Sequence, residues 1–228
     1  MDLKKVCEKT VLQTDIDIFT KNVRLICSGY SESGKSYLIK KLILNNISKF
    51  DYVIIAGSPS DHEFAANEQI KEKLITFEYF PSIKELKLIT EPNSSKIILC
   101  DDNYYLAFND INVMQYFTHG RHENISIILI TQNIFYTKGK YSRDCSLNAN
   151  YFLILKSRDK SQLTVLSRQI YGKENSNKIL DVYNFIVKKY RYPHLLIDVS
   201  GNTDENLEFR SHIIPSPESA FQTVYIKN

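Results

Sequence analysis

The stretch GYSESGKSYLIKKLI, residues 29–43, places two of the chain's seven glycines within six positions and then turns into a helical pattern. Before it runs NVRLICSG, residues 22–29, a short apolar segment that reads as a strand. After it, Leu38, Ile39, Leu42, Ile43 and Ile47 recur at the spacing of one helix face. A strand, a glycine loop and a helix in that order give the pattern GxxxxGK[ST] its physical meaning, and Gly29-Tyr30-Ser31-Glu32-Ser33-Gly34-Lys35-Ser36 matches it position for position. Glycine lets the backbone wrap so that successive N–H groups point inward at phosphate oxygens, and the helix N-terminus adds its partial positive charge. The expectation is a phosphate cradle running from Gly29 through Tyr37. In it the Lys35 ammonium reaches the β- and γ-phosphates of ATP and the Ser36 hydroxyl serves Mg²⁺. The competing reading is a glycine-rich turn that matches by chance, and the flanking strand and helix argue against it.

Outward from this loop, strands and helices alternate. DYVIIAG (51–57) reads as a second strand closed by a Ser-Pro-Ser turn, DHEFAANEQIKEKL (61–74) as a helix and ITFEYF (75–80) as a brief extended piece. Pro81 is placed to open a helix through SIKELKLI (82–89). KIILCDD (96–102), ISIILIT (125–131) and NANYFLILK (148–156) are further apolar strands, and Ile111, Met114 and Phe117 between them fit a helix face. Helices follow over residues 161–171 and 177–190, then a strand in HLLIDV (194–199) with a hairpin partner near LEFRSHII (207–214). Strands apolar on both faces and alternating with helices predict an α/β fold, a mostly parallel central sheet flanked by helices. The expected division is an extension over 1–21, one domain over 22–214 and a mobile or docking tail over 215–228.

Composition sets the bounds. With 228 residues, 43% hydrophobic and 24% charged, the chain can bury one sizeable core. A formal charge of +3 permits a nucleic-acid partner without arguing for one. Cys7, Cys27, Cys100 and Cys145 form no CxxC pair, and two lie in apolar strands, so they read as core residues of a reducing compartment. No leader-like apolar region opens the chain and no run suits a membrane span, so an intracellular, soluble protein is expected.

Two other strand ends carry chemistry. KIILCDDN ends in paired carboxylates, at the edge of a parallel sheet where ligand sites collect. Asp101 is placed to hold Mg²⁺ through water and Asp102 to act as general base on an attacking water, although paired acids also cap helices. ISIILITQN ends in Thr131 and Gln132, and a glutamine amide can both donate to and accept from a water beside a γ-phosphate. Alone, a polar residue at a strand end is a weak signal.

Together GYSESGKS, ILCDDN and FTHGRHENISIILITQN, in this order and at these distances, resemble the genome-packaging ATPases of large double-stranded DNA viruses, including the poxvirus and virophage enzymes. These belong to the FtsK/HerA superfamily of P-loop motors, of RecA-like ASCE type. GRHENISIIL running into a glutamine is the most distinctive part, NANYFLILKSRDKSQL adds to it, and the resemblance covers roughly residues 22–169. It implies Walker A roles for Lys35 and Ser36, Walker B roles for Asp101 and Asp102, and the sensor role for Gln132, with the sensor strand between the P-loop and Walker B strands. Bacterial relatives carry Asp-Glu where this chain has Asp-Asp, which sets the shorter Asp102 farther from the water.

The resemblance further implies a homo-oligomeric ring, pentameric or hexameric, in which a neighbour supplies an arginine finger. Arg121 is the first candidate, Arg158 and Arg143 are rivals, and a structural ion pair is the plain reading of Arg121. The implied activity is ATP hydrolysis that moves double-stranded DNA into a capsid, with a portal or vertex protein as partner, in the host cytoplasm, a viral factory or the virion. For DNA contact the candidates are Lys138, Lys140 and Arg143, interleaved with Tyr136 and Tyr141 in FYTKGKYSRD, which a solvated loop would resemble. His119 and His122 lack a third ligand at metal-site spacing and read as surface or interface residues. A P-loop kinase would need an arginine-rich lid that the chain lacks. A nucleotide-gated DNA-binding or assembly factor would need neither Asp102 nor Gln132.

Overall fold

The computed structural model describes residues 6–12, 18–20, 22–57, 67–101, 106–214 and 221–227. In chain order the main elements are β1 (Val6–Leu12), β2 (Arg24–Ser28), α1 (Lys35–Leu44), β3 (Tyr52–Ala56), α2 (Glu68–Lys71), β4 (Leu74–Phe77), α3 (Ile83–Ile89), β5 (Lys96–Asp101), α4 (Ile111–His119), β6 (Ile125–Thr131), α5 (Ser142–Asn148), β7 (Tyr151–Ile154), α6 (Ser161–Tyr171), α7 (Lys178–Lys189), β8 (Leu195–Asp198), β9 (Phe209–Ser211) and β10 (Phe221–Lys227). Among the described residues they form a ten-stranded sheet in the order β1-β10-β9-β8-β7-β2-β6-β5-β3-β4.

The six strands from β7 to β4 are parallel, and the other four are attached antiparallel on the β7 side. Successive residues of a strand face opposite sides of a sheet, and here both sides are covered. On one side Ile26, Ile98, Ile127, Leu129 and Phe152 pack with Val113 and Phe117 of α4, Leu163 and Leu166 of α6, and Val182 and Ile186 of α7. On the other, Leu25, Cys27, Leu99, Ile128 and Leu153 pack with Ile39, Leu42 and Ile43 of α1. This is why every residue of β6 is buried and why its sequence reads as an unbroken apolar run.

Several elements differ in their bounds from the sequence expectation. The helix after Pro81 is capped by Ser82, whose hydroxyl accepts from the Glu85 N–H at 3.2 Å while the Glu85 carboxylate accepts from the Ser82 N–H at 2.6 Å. That reciprocal box satisfies two orphan donors and moves the start two residues past the proline. The strand expected from residue 148 starts at Tyr151, because Asn148 ends α5 and Asn150 is tied to the entry of β2: its Oδ1 accepts from the Arg24 N–H at 2.7 Å and its Nδ2 donates to the Asn22 carbonyl at 3.3 Å. The brief extended piece is β4, the parallel edge strand. Residues 61–66 of the helix expected over 61–74 lie outside the described residues; Glu68–Lys71 is helical, with the Asn67 side chain as its N-cap, and Leu74 already begins β4.

The segments read as extension and tail both contribute strands. Val6–Leu12 pairs with Phe221–Lys227 along seven residues, and β10 also pairs with β9. Val224 and Tyr225 are buried, and Lys189 of α7 forms an ion pair with Glu8. Phe221–Lys227, within the segment expected to be a mobile or docking tail, is therefore a strand of the sheet. Of the four cysteines, Cys27, Cys100 and Cys145 are buried and Cys7 is exposed, so Cys7 is not the core residue expected. Burial pushes the Cys145 thiol up to about 12. Among the described residues no helix is long and apolar enough to cross a membrane.

Candidate nucleotide site

β2 ends at Ser28 and α1 begins at Lys35, so Gly29–Gly34 is the turn between them. Two glycines are dictated by its path. At Gly29 a Cβ would lie 2.7 Å from Ser33 Oγ and 3.0 Å from Leu155 Cβ, because the loop closes on itself and on the segment after β7. At Gly34 the backbone has φ +90°, a left-handed conformation in which a Cβ is strained although space is open. The Gly29 N–H donates to the Thr131 carbonyl at 3.3 Å, the Tyr30 N–H to the Lys156 carbonyl at 3.0 Å and the Ser33 N–H to the Tyr30 carbonyl at 3.2 Å. The loop is thus moored to the strand on each side of β2.

The first turn of α1 has no side-chain cap and no acidic residue. Its positive end is left for an external anion. Lys35 is half-buried, and its Nζ donates to the Gly29 and Tyr30 carbonyls at 2.8 and 3.0 Å, which holds the ammonium inside the loop. Burial lowers its pKa below the ordinary lysine value; Cys27 and Asp101 act in the opposite sense. Of these two, Asp101 is the one that counts, since burial pushes the Cys27 thiol far up and leaves it neutral.

The sheet register completes the site. β6 lies between β2 and β5, with Ser28 beside Thr131 and Asp101 beside Ile130. The strand order implied for the sensor strand is the one found. A cavity of ≈ 150 Å³ at this edge is lined by Ser31, Glu32, Lys35 and Ser36 from the loop and helix, Asp101 from β5, and Ile130, Thr131 and Gln132 from β6. Gln132 is exposed at its mouth, and its carbonyl accepts from Ser28 Oγ at 3.3 Å. Asp102 falls outside the described residues.

The donor set fits a nucleotide phosphate with a hard divalent cation. The cradle is too tight at Gly29 for a Cβ, the helix end is uncapped, and the Ser36 hydroxyl and Asp101 carboxylate are oxygen ligands of the kind Mg²⁺ takes alongside water and phosphate. Among the described residues no group of three or more His, Cys, Asp or Glu gathers to hold a metal alone. His119 and His122 are exposed, and His119 Nδ1 lies 2.8 Å from Thr118 Oγ1.

The other candidates are distributed unequally. Arg121 is exposed in a 3₁₀ turn, Gly120–Glu123, that precedes β6, so the strand's seven residues separate it from Gln132. At about 3.3 Å per residue that is on the order of 20 Å, and Arg121 cannot reach the cavity of its own chain. Its Nε donates to His122 Nε2 at 3.3 Å, and its carbonyl accepts from Asn22 Nδ2 at 2.7 Å. Arg158 instead stacks over Tyr30 of its own loop, 5.4 Å from the ring centre.

Lys138, Lys140 and Arg143 are exposed. Their loop is pinned: a Cβ at Gly139 would lie 2.8 Å from Phe108 Cβ, the Tyr141 N–H donates to the Phe108 carbonyl at 2.9 Å and the Lys140 N–H to Asn109 Oδ1 at 2.9 Å. Lys140 Nζ lies 5.0 Å from the centre of the Tyr141 ring. Sequence reasoning missed Gln162, which binds the turn after Gln132 from α6. No local pattern marks such a residue, because its partners are almost thirty positions away.

No protein-family model matches the sequence, and no curated protein matches it. Solved structures do. The genome packaging NTPase B204 from Sulfolobus turreted icosahedral virus 2, in complex with AMPPCP, superposes with a TM-score of 0.54 at 18% identity over 80% of this chain and 95% of that one. B204, the DNA-packaging ATPase from Sulfolobus turreted icosahedral virus, gives 0.52 at 18% identity over 78% and 93%. At this identity the likeness speaks to fold. The chain has the fold of the viral genome-packaging NTPase B204.

Proposed function

We propose that this protein is an ATP-hydrolysing motor that translocates double-stranded DNA into a viral capsid, working as a homo-oligomeric ring of the viral packaging branch of the FtsK/HerA superfamily. One observation carries the reading: Lys35, Ser36, Asp101 and Gln132, brought in by three different elements, line one cavity at the edge of three adjacent parallel strands. A phosphate cradle alone would bind nucleotide, whereas a cradle facing a carboxylate and a glutamine amide can also manage a metal and a water.

In this reading the loop N–H groups and the α1 N-terminus hold the phosphates, and Lys35 places its charge over the β- and γ-phosphates. Mg²⁺, when bound through Ser36 and Asp101, would neutralise the phosphate oxygens between them. Gln132 donates to and accepts from the water that attacks the γ-phosphate, and Asp102 takes its proton. Arg121, at the far end of β6 from its own cavity, serves the cavity of the neighbouring subunit. Such fingers are worth roughly 10³ to 10⁵ in rate where measured in GTPases. Lys138, Lys140 and Arg143 neutralise DNA phosphates without reading sequence, and their attachment at Phe108 and Asn109, just past the Walker B strand, supplies a route from nucleotide state to DNA contact. The motor works in the host cytoplasm, viral factory or virion against a capsid vertex or portal protein. Its ATPase domain is the core over 22–214.

The test is steady-state ATP hydrolysis with and without double-stranded DNA, on the wild type, Lys35→Ala, Asp102→Asn and Arg121→Ala, with mass measured under the same conditions. DNA-stimulated turnover by an oligomer, abolished by the first two changes and restored to Arg121→Ala on mixing with Lys35→Ala subunits, is the expected result. Nucleotide binding without turnover in any assembly state, DNA present, would replace the motor with a nucleotide-gated binding or assembly factor.

A further inference from the structure

Gln162, the second residue of α6, is half-buried and makes four hydrogen bonds with its side chain. Its Oε1 accepts from the Ile134 N–H at 2.8 Å and the Phe135 N–H at 3.2 Å. Its Nε2 donates to Asn133 Oδ1 at 2.9 Å and to Asp159 Oδ2 at 3.1 Å. The three residues it binds on the β6 side are those that immediately follow Gln132. An amide is the only side-chain group that can accept twice and donate twice in this arrangement, since a carboxylate cannot donate and an ammonium cannot accept.

The other end of this clamp is anchored to the phosphate loop. Gln162 is tied through Asp159 to the segment after β7. There the Leu155 N–H donates to the Ser28 carbonyl at 2.8 Å, the Lys156 carbonyl accepts from the Tyr30 N–H at 3.0 Å, and the Arg158 guanidinium lies 5.4 Å from the Tyr30 ring centre. Tyr183 of α7 fixes the same segment, its hydroxyl accepting from the Ser157 N–H at 2.8 Å and donating to the Leu155 carbonyl at 3.3 Å. β7 and β6 flank β2, so the contacts from Ser28 and Tyr30 to Gln162, and on to Asn133, reach across the strand that carries the phosphate loop.

We propose that Gln162 is a positioning residue for the ATPase reaction: it sets Gln132 at a fixed distance from the phosphate loop, acting through Asn133 and the backbone of Ile134 and Phe135. Gln162 touches neither nucleotide nor water in this account, so its effect appears only through Gln132. The inference rests on the reading of the site as an ATPase.

The experiment compares Gln162→Ala and Gln162→Glu with the wild type, alone and combined with Gln132→Ala, by kcat, KM and equilibrium binding of a fluorescent ATP analogue. Gln162→Glu keeps the size and the acceptor for Ile134 and Phe135 while losing the donor to Asn133. Melting temperatures by circular dichroism establish which variants are folded, and Asn133→Ala breaks the same bond from the opposite side if Gln162→Ala is not. The expected result is a kcat lowered by about 10-fold to 10²-fold, the range a small misplacement costs, with nucleotide affinity unchanged. In the Gln132→Ala background the same change has no further effect, as expected for residues that act as one unit. An undiminished kcat, an effect carried by KM alone, or an equal loss in the Gln132→Ala background would each overturn the positioning role. If the wild type binds ATP and never hydrolyses it, the ATPase reading itself falls, which the wild-type measurement reveals independently of any Gln162 variant.

Discussion

Gly29 and Gly34 sit in the same loop for different physical reasons, and replacing each by alanine separates them. At Gly29 the added Cβ meets Ser33 Oγ at 2.7 Å, Leu155 Cβ at 3.0 Å and the Lys156 carbonyl oxygen at 3.3 Å, where ordinary contact begins near 3.4 Å. Ser33 Oγ can rotate away, but Leu155 Cβ is fixed to a backbone whose N–H donates to Ser28 at 2.8 Å. The loop and the segment after β7 must therefore separate by several tenths of an ångström. Forcing extra atoms into a packed interior typically costs about 1–3 kcal/mol, and for a chain of this size each kcal/mol lowers Tm by about 2–4 °C. The displaced atoms include the Gly29 and Tyr30 carbonyls that hold the Lys35 ammonium, so nucleotide affinity falls together with stability. Gly34→Ala meets no atom within 4 Å and carries only the left-handed strain of φ +90°, about 1–2 kcal/mol. Urea titration and binding of a fluorescent ATP analogue on both variants are the assay. If Gly29→Ala leaves the urea midpoint and the affinity at wild-type values, the close approach of the two segments is wrong and the argument for the cradle's shape fails with it.

Other consequences are more direct. Lys35→Ala should abolish detectable nucleotide binding while shifting Tm little, since the ammonium's hydrogen bonds to Gly29 and Tyr30 stay within its own loop; a binding titration and a melt decide it. The Arg210 guanidinium is fully buried and pairs with Asp198 at 2.7 Å. Asp198→Asn should therefore cost about 3–5 kcal/mol in denaturant unfolding, because it leaves a buried charge uncompensated, whereas replacing both residues with apolar ones should cost much less. A thiol reagent on the native protein should modify Cys7 rapidly, with Cys27, Cys100 and Cys145 reacting only after unfolding. Burial holds His194 at about 4 against an ordinary 6.5, so between those values the unfolded chain binds a proton that the native imidazole refuses. Stability is then full above pH 6.5 and declines toward pH 4, and His194→Gln should flatten that slope in urea midpoints measured at both ends.

Local chemistry explains what could be read from the chain alone. The glycine turn between β2 and α1 was legible because a strand, a turn and a helix are contiguous in sequence, and so were the apolar strands leading to Asp101 and Gln132, whose burial on both faces leaves unbroken runs of Ile and Leu. The α/β class followed from the same alternation. The meeting of Asp101 and Gln132 with Lys35 at one cavity depends on strand order and register, which hydrogen bonds between segments roughly 30 to 100 residues apart determine.

Tertiary structure alone decided the rest, because the contacts involved are non-local. Val6–Leu12 and Phe221–Lys227 look like loose ends until each supplies the other's backbone partners, across almost the whole chain. Arg121 is adjacent in sequence to β6, yet the extended strand carries it away from the edge where Gln132 lies. Gln162 carries no motif; four hydrogen bonds from one amide give it a role, and three of their partners are brought to it by the fold. The sequence by itself determined which groups are candidates to bind phosphate and manage a water, since candidacy is a property of residue type and short-range backbone. Their separation and mutual support were decided by packing, since distances between distant segments have no local signature.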